Sequence, residues 1–257
     1  MSPLEPKIIA EEKDYWVVDK PSGIAAHPDS KHQGNTVVDF LLQKDSKLAK
    51  IGDDPSRPGI VHRLDLGVSG LMVVARTSKF FKLLKAQFGH RSVEKRYWAL
   101  VHGKNIAEEG EIHFPIARSR GDRTRMAALP DVEINTSNLG KIDHTLAQED
   151  IHSRDALTLF TVSRRWVNYT LLDIEIKTGR THQIRVHMQA FGHPVVGDMK
   201  YRLRKQEVDT DLGRLFLHSY RLGFQDAKGK PVIFESPLPE KLEEYLKGLR
   251  GELKIKN

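Results

Sequence analysis

The stretch Gly59–Ala75 reads GIVHRLDLGVSGLMVVA and places a charged trio, His62, Arg63 and Asp65, between two apolar segments. The end of this stretch, together with Arg76, reads GLMVVAR (Gly70–Arg76) and contains an apolar run typical of a buried strand. Functional side chains often lie on loops that strands hold in place. An adjacent arginine helps an aspartate to stay ionised when it is partly buried, which makes Asp65 a usable carboxylate nucleophile. Asp65 can equally be a turn residue that accepts bonds from local N–H groups, so the trio alone does not decide.

The composition is that of an ordinary globular protein: 257 residues, 39% hydrophobic and 29% charged. The longest uncharged apolar run, about Gly70 to Ala75, is far shorter than the roughly 20 residues that cross a bilayer. Residues 1–6 show neither the basic nor the apolar region of a secretory signal. The absence of cysteine excludes disulfides, thiolate metal sites and a thiol nucleophile. We therefore expect a cytoplasmic protein without a membrane span.

Positive charge is concentrated in two places. Residues 76–104 carry eight Lys or Arg against one acid, Glu94, and this excess equals the formal charge of the whole chain, +7. A second cluster consists of Arg118, Arg120, Arg123 and Arg125. Such a distribution is typical of proteins that bind nucleic acid. The spacing of the lysines at 79, 82 and 85 equally fits a solvated helix face, whereas the arginine cluster predicts an exposed loop that contacts phosphates.

Periodicity and turn residues predict an α+β fold with a mainly antiparallel, mixed β-sheet and flanking helices, because strands outnumber helices and do not alternate with them. Strands are predicted at 15–18, 70–76, 95–102, 110–114, 157–164, 169–176, 215–218 and 232–235, and helices at 36–42, 78–88, 181–191 and 239–249. Ser78 is the expected cap of the second helix, and Thr178 or Thr181 that of the third.

The segment Gly179–Asp198 carries a second group of polar side chains on a predicted helix. They are Arg180, His182, Gln183, Arg185 and His187. Arginines near a helix start could meet a carboxylate or a phosphate. The histidines could instead form a solvated face. A metal site is disfavoured, because a five-residue separation places the two rings apart, unlike the i, i+4 pair of a zinc site. We therefore expect no metal.

Tyr97 and Trp98 add aromatic rings to the first basic segment. Nucleic-acid bases stack on such rings, at about 1–3 kcal/mol per base. Neighbouring strand residues point to opposite faces, so at least one of the two rings is equally well explained as core.

Four motifs in one order resemble the RluA-type pseudouridine synthases. They are Lys20-Pro21-Ser22-Gly23-Ile24 with His27-Pro28, His62-Arg63-Leu64-Asp65-Leu66-Gly67-Val68-Ser69-Gly70, Lys95 to Gly103, and Gly179 to Asp198 followed by Leu215-Phe216-Leu217-His218. The resemblance covers about Tyr15 to Phe234, nearly the whole chain. It implies the fold of that family, with a central RNA-binding cleft, and an enzyme that isomerises uridines in ribosomal or transfer RNA without cofactor or metal.

The resemblance also implies roles for individual residues. Asp65 matches the family nucleophile. Tyr97 is the ring against the target base, and Arg185 is the ion-pair partner of Asp65, with Arg180 as second choice. Further residues are expected to contact the RNA. His62 and Arg63 bind the substrate, and Arg63 helps to displace the target nucleotide, while Leu217 lines the uracil pocket. The phosphates are contacted by Arg118, Arg120, Arg123 and Arg125.

The sequence departs from the family pattern in two places. Val68 stands where threonine is usual, and the region Asp131–His152 is longer than in the simplest members. We expect one catalytic domain over residues 1–257, with lobes of about 1–110 and 111–257, and no separate N-terminal RNA-binding domain. We also expect a monomer without an obligate protein partner.

Two other functions compete. A glycosidase or base glycosylase would share chemistry at an anomeric carbon, but most glycosidases need two carboxylates, and only Asp19 and Asp198 are candidates for the second. A non-catalytic RNA-binding or ribosome-assembly protein would use the same basic patches. The combination of Asp65, Tyr97 and Arg185 favours the enzyme.

Overall fold

The structure is a computed structural model that describes residues 4–28, 34–129, 153–203 and 212–253. The chain divides into two compact units. The first unit comprises residues 1–96 and 218–237, and the second comprises residues 97–217 and 238–257. The expected single domain with lobes at 1–110 and 111–257 stays a prediction.

The first unit is built on a sheet of strands in the order β1-β2-β3-β10, with β11 on the far side of β10. The strands are β1 (Lys7–Glu11), β2 (Tyr15–Lys20), β3 (Ser69–Ala75), β10 (Leu217–Gln225) and β11 (Pro231–Glu235). Strand β10 runs parallel to β3, whereas β1–β2, β2–β3 and β10–β11 are antiparallel. Every residue of β3 is buried, as its uninterrupted apolar sequence predicts.

Two helices accompany this sheet. Helix α1 (Val37–Lys44) begins with a capping box, in which the Thr36 side chain accepts from the Asp39 N–H and the Asp39 carboxylate accepts from the Thr36 N–H. Helix α2 (Ser78–Gly89) buries Phe80, Phe81 and Leu84. These three side chains pack with Tyr15 and with apolar residues of β3 in one core. A 3₁₀ turn at residues 46–50 follows α1.

The second unit contains a sheet in the order β4-β9-β8-β12, and β5 also pairs with β8. The strands are β4 (Glu94–His102), which begins in the first unit, β5 (Glu109–Ile112), β8 (Thr158–Trp166), β9 (Tyr169–Ile176) and β12 (Glu252–Leu253). The pairs β8–β9, β5–β8 and β8–β12 are antiparallel. A separate hairpin, β6 (Ile116–Arg118) and β7 (Met126–Ala128), is called the basic hairpin below.

Helices α3 (Gln183–Ala190) and α4 (Glu240–Gly248) complete the second unit. Helix α4 buries Leu242 and Leu246 against Trp166 and Leu171, and Tyr245 packs against the same cluster. The expected apolar stripe of this helix is confirmed. The mainly antiparallel α+β class is confirmed as well.

Several local expectations were wrong. Thr77, not Ser78, caps α2, since its hydroxyl accepts from the Phe80 N–H at 3.3 Å. Neither Thr178 nor Thr181 caps α3; the N-cap is His182, whose backbone is left-handed (φ +58°) and whose side chain makes no capping bond. The arginine cluster does lie in a loop, which connects β6 to β7: Arg118 ends β6, and Arg120, Arg123 and Arg125 precede β7.

Gly70 is the residue that lets β3 approach β10. Its φ is +116°, and a Cβ there would lie 2.2 Å from the Ser219 carbonyl oxygen. Gly70→Ala should therefore lower the free energy of unfolding by at least about 2 kcal/mol, through overpacking and backbone strain. Gly89→Ala is the matched control, because a Cβ added to this helical residue would have no neighbouring atom within 4 Å. Urea unfolding measures both, and equal stability of the two variants would contradict the prediction.

Candidate active site

The loop that carries Asp65 is fixed by the turn after β2. The ammonium group of Lys20, the last residue of β2, is fully buried and donates to the carbonyls of Ile24 (2.7 Å), Pro21 (2.9 Å) and Leu66 (3.4 Å). The Leu66 carbonyl also accepts from the Gly23 N–H at 2.8 Å. The backbone on the C-terminal side of Asp65 is therefore held from two directions.

Two further bonds complete this attachment. The Ser22 hydroxyl donates to the Gly67 carbonyl at 2.8 Å, and the Val68 N–H closes a turn on the Asp65 carbonyl at 3.0 Å. Asp65 itself is half-buried. Its carboxylate therefore stands on a backbone with little freedom to move.

His62 anchors the start of the same loop to β3. Its Nε2 accepts from the Val73 N–H at 3.0 Å, and its ring stacks on Phe88 with centroids 4.6 Å apart. Burial and, to a smaller extent, the nearby Lys95 charge lower the pKa of His62 to about 3, so the ring is neutral at pH 7. These contacts are structural. The expected contact of His62 with RNA stays a prediction.

Arg63 lies on the surface of the first unit beside the Asp65 loop. Its Nη1 lies 3.4 Å from His27 Nε2, a long contact between two exposed groups. Leu66, on the same loop, is 40% exposed although it is apolar. The loop thus presents a cation, a carboxylate and an apolar side chain within four residues.

The end of the loop is joined to β10. The Ser69 hydroxyl lies 2.9 Å from His218 Nδ1, and both side chains are buried. His218 Nε2 faces the Ser236 carbonyl at 3.4 Å, and the Ser236 hydroxyl donates to Asp19 at 2.7 Å. Asp19, the possible second acid of a glycosidase, is therefore engaged in this network.

Tyr97 and Leu217 belong to the second unit. Tyr97 lies on β4 and Leu217 begins β10, and both are buried. Trp98, next to Tyr97, packs against the core of that unit. At least one of these two rings, that of Trp98, therefore contributes to the core, and the Tyr97 ring is itself buried.

Arg185, on α3, forms a two-pronged ion pair with Asp198. Its Nε donates to Asp198 Oδ2 at 2.6 Å and its Nη2 donates to Oδ1 at 2.9 Å. The Asp198 side chain is 0% exposed and that of Arg185 only 12%. A buried bidentate pair of this kind fixes the plane of the guanidinium. Asp198, the other candidate second acid, thus has a cation as its partner.

Tyr201 links Arg185 to the basic hairpin. The Arg185 guanidinium carbon lies 4.9 Å from the Tyr201 ring centroid, and that of Arg125 lies 5.1 Å from it. The buried hydroxyl accepts from the Met126 N–H at 2.8 Å and shares a hydrogen bond with His182 Nδ1, also 2.8 Å long. Burial raises the pKa of Tyr201, so the phenol stays protonated.

The four arginines of the basic hairpin have different environments. Arg118 donates from Nη1 to the Arg123 carbonyl at 2.6 Å, which closes the turn. Arg125 lies over Tyr201, as described above. Arg118, Arg120 and Arg123 are exposed, whereas Arg125 is half-buried. The expected contacts of these four arginines with phosphates stay a prediction.

The remaining predicted site residues have structural contacts. Arg180 donates from Nε to the Asp155 carbonyl at 2.9 Å. His187 is fully buried, with Nδ1 on the Thr158 hydroxyl and Nε2 on the Phe114 carbonyl, both at 2.9 Å. Among the described residues no group of three or more His, Cys, Asp or Glu is arranged to hold a metal ion. No helix within these ranges is long and apolar enough to cross a membrane.

Comparison with known proteins agrees with this geometry. A family model described as RNA pseudouridylate synthase matches residues 14–190. The chain belongs to the RNA pseudouridylate synthase family. It is thus an isomerase that converts uridine to pseudouridine in RNA, and the resemblance inferred from its motifs is confirmed.

Individual relatives align with most of the length of this chain. The "Uncharacterized RNA pseudouridine synthase YlyB" of Bacillus subtilis is 36% identical over 249 residues, which are 96% of this chain and 74% of that protein. The "Ribosomal large subunit pseudouridine synthase D" of Zymomonas mobilis is 35% identical over 254 residues, 96% and 73% of the two chains. The solved structure of human RNA pseudouridylate synthase domain containing 4 has a TM-score of 0.72 at 22% identity, covers 97% of this chain and 94% of its own, and shares the fold.

Sequence reasoning did not assign the contacts of three residues: Lys20, Asp198 and Tyr201. Lys20 lies in a recognised motif, but its carbonyl partner at Leu66 is 46 residues away. Asp198 follows a glycine and accepts from the N–H groups of Lys200 and Tyr201 at 2.8 and 2.9 Å, a turn that the sequence Gly-Asp-x-x-Tyr could have suggested. Its ion pair with Arg185 has no local signal.

The depressed pKa of His62 predicts acid sensitivity. Between pH 3 and 6.5 His62 binds more protons in the unfolded chain than in the folded chain, so this residue lowers the free energy of unfolding as the pH drops through this window. His62→Gln keeps an acceptor for the Val73 N–H but does not titrate. It should reduce the slope of unfolding free energy against pH by up to about 1.4 kcal/mol per pH unit. Urea unfolding from pH 4 to 8 tests this, with the slope above pH 7 as internal control; an unchanged acid slope would contradict it.

Proposed function

We propose that the protein isomerises specific uridines in structured RNA, ribosomal or transfer RNA, with Asp65 as the nucleophile. The observation that carries the proposal is the clamped loop: a single carboxylate on a backbone held by Lys20, Ser22 and Gly23, next to the exposed cation of Arg63. One fixed carboxylate suits a reaction that needs a nucleophile and no second acid.

The proposed reaction breaks the N1–C1′ bond of uridine and forms a C5–C1′ bond after the uracil has turned in place. The proton lost from C5 balances the proton gained at N1, so no oxidant, reductant, cofactor or metal is needed. Asp65 acts by attack at C1′ or at uracil C6, and either route regenerates the free carboxylate. The base must leave its stack before either atom can be reached.

The other roles follow the family pattern. Arg185 is proposed as the ion-pair partner that keeps the Asp65 carboxylate charged, with Arg180 as the alternative; the contact of Arg180 with the Asp155 carbonyl makes it the weaker choice. Tyr97 is proposed to lie against the target base and to accept the C5 proton. Leu217 is proposed to line the uracil pocket, and Arg63 and His62 to contact the displaced nucleotide.

The basic hairpin is proposed to bind phosphates through its exposed arginines. Arg120 and Arg123 are the candidates, because Arg118 closes the turn and Arg125 lies over Tyr201. The fixed shape of the turn supports this role, since the Thr124 N–H and hydroxyl both donate to Asp122, at 2.8 and 2.7 Å. A preformed turn loses little entropy when RNA binds.

Ribosomal RNA is the proposed substrate to test before transfer RNA. Relatives of Zymomonas mobilis and Xanthomonas campestris carry the name ribosomal large subunit pseudouridine synthase D. We also propose that the protein acts in the cytoplasm as a monomer, without an obligate protein partner. Light scattering of the purified chain checks the monomer.

The decisive test uses bulk RNA from cells that lack the protein. After incubation with the purified chain, new pseudouridines are mapped, and we expect a small set of sites even in the presence of EDTA. Free uracil in place of pseudouridine would indicate a base glycosylase. Binding without any change in the RNA would indicate a non-catalytic assembly protein.

Asp65→Asn should abolish isomerisation while RNA affinity stays within about tenfold, because an amide is not a usable nucleophile. Arg185→Met should lose most of the activity, since it removes the cation beside the carboxylate. Single-turnover assays and filter binding measure both effects. Asp53→Asn, at an exposed aspartate of the same unit, is the control and should remain active. Turnover by Asp65→Asn above a trace would refute the nucleophile.

Replacement of Arg120 and Arg123 by alanine should weaken RNA binding and flatten the dependence of log K on log salt, by up to about 0.7 per lost phosphate contact. The control is Lys79→Ala with Lys82→Ala, which removes the same charge from the exposed face of α2. Filter binding at four salt concentrations distinguishes the pairs. Equal slopes in the two double variants would assign no specific phosphate contact to the hairpin.

A further inference from the structure

We propose that Asp198 and Tyr201 are positioning residues that hold the Arg185 guanidinium in the one orientation that the isomerisation uses. The inference rests on the proposed role of Arg185. It concerns residues of the second unit that do not themselves react.

Asp198 controls the orientation of the guanidinium through two parallel hydrogen bonds. Both carboxylate oxygens take part, and they bind different nitrogens, Nε and Nη2 of Arg185. A planar fork held at two points cannot rotate about its long axis without breaking at least one bond. The long arginine side chain thereby loses most of its rotational freedom before substrate arrives.

Asp198 is in turn fixed by its own loop. Its Oδ1 also accepts from the N–H groups of Lys200 and Tyr201. The turn before it is tight: Gly197 has φ +75°, and a Cβ there would lie 1.9 Å from the Arg214 carbonyl oxygen. The Asp198 carboxylate that accepts from Arg185 is therefore held in place by the backbone of its own tight loop.

Tyr201 restrains the guanidinium from a second direction. The ring is 0% exposed and lies 4.9 Å from the guanidinium carbon of Arg185. Its hydroxyl is bonded to Met126 and His182, so the ring cannot turn away. A desolvated cation over an aromatic face is attracted by the negative face of the ring, which favours this position of the guanidinium.

Stability alone gives a poor reason for this arrangement. A buried ion pair costs desolvation energy that its attraction barely offsets, and apolar replacements are often neutral or more stable. The same unit contains a bidentate pair without that cost, because Arg164 donates to Glu252 from Nε (2.7 Å) and Nη2 (2.9 Å) at the surface. The burial of the Arg185–Asp198 pair is better explained by a need to fix the orientation of the Arg185 guanidinium.

The experiment compares Asp198→Asn, Tyr201→Phe and Tyr201→Leu in the full chain. Asp198→Asn keeps the loop acceptor but presents an N–H to the Arg185 fork. Tyr201→Phe keeps the ring and loses the hydroxyl, whereas Tyr201→Leu loses the ring. Glu252→Gln is the matched control, since it breaks an ion pair of the same geometry. The measurements are the melting temperature, the affinity for the RNA carrying the mapped uridine, the single-turnover rate at saturating RNA, and hydrogen exchange of the Arg185 Nε–H by NMR.

Asp198→Asn should lower the single-turnover rate by about 100-fold, the loss typical of a misplaced reacting group, with RNA affinity unchanged. Tyr201→Leu should lower it about tenfold. Tyr201→Phe should melt at a lower temperature yet stay within about threefold of the wild-type rate, because the ring remains. Exchange of the Arg185 Nε–H should accelerate in Asp198→Asn and Tyr201→Leu only, and Glu252→Gln should change neither rate nor exchange.

The inference would be overturned if the single-turnover rates of the four variants fell in the same order as their melting temperatures, because a purely structural role predicts that the least stable variant is the slowest. So would faster exchange at Arg185 with an unchanged rate. Failure of the proposed function has a different signature: the wild-type chain forms no pseudouridine while its Arg185 Nε–H stays protected. That result would overturn the catalytic assignment and, with it, the purpose assigned to the positioning.

Discussion

The buried ammonium group of Lys20 is the interaction on which the Asp65 loop depends. An ammonium that leaves water costs several kcal/mol, and this cost is offset only where acceptors surround it. Here the carbonyls of Pro21, Ile24 and Leu66 supply them. Because Leu66 directly follows Asp65, the electrostatic requirement of a lysine at the end of β2 determines the position of the proposed nucleophile.

The other attachments of the loop have the same character. His62 joins its start to β3 through the Val73 N–H, and Ser69 joins its end to β10 through His218. Each is a polar bond that is shielded, at least in part, from water, where breaking it would leave a group without its partner. The loop is therefore held at its start, middle and end, while the side chains of Arg63 and Leu66 remain exposed at the surface.

Much of the fold was predictable because its signals are local. The apolar run of β3 and the stripe of α4 follow from periodicity alone. The strands of the basic hairpin have three residues each, too short for any period to show, and β1 alternates exposed and half-buried residues at an edge. His182 begins α3 with a left-handed backbone, a conformation that tertiary contacts impose and that propensity does not reveal. The candidate functional residues divide along the same line. Motifs single out Asp65, Arg63 and Arg185 as candidates, whereas the contacts of Lys20, Asp198 and Tyr201 reach partners that are remote in sequence or hidden in a turn.

The arginines of the basic hairpin show that a count of charged residues does not reveal what each of them contacts. The basic hairpin holds four arginines within eight residues, and a count of charges assigns each of them to RNA. In the folded chain Arg118 closes the turn, and Arg125 packs on the same ring as Arg185. Two of the four cations thus build the surface that presents the others. The number of basic residues sets only an upper limit on the number of phosphate contacts. The geometry of each guanidinium decides whether that side chain is available for such a contact.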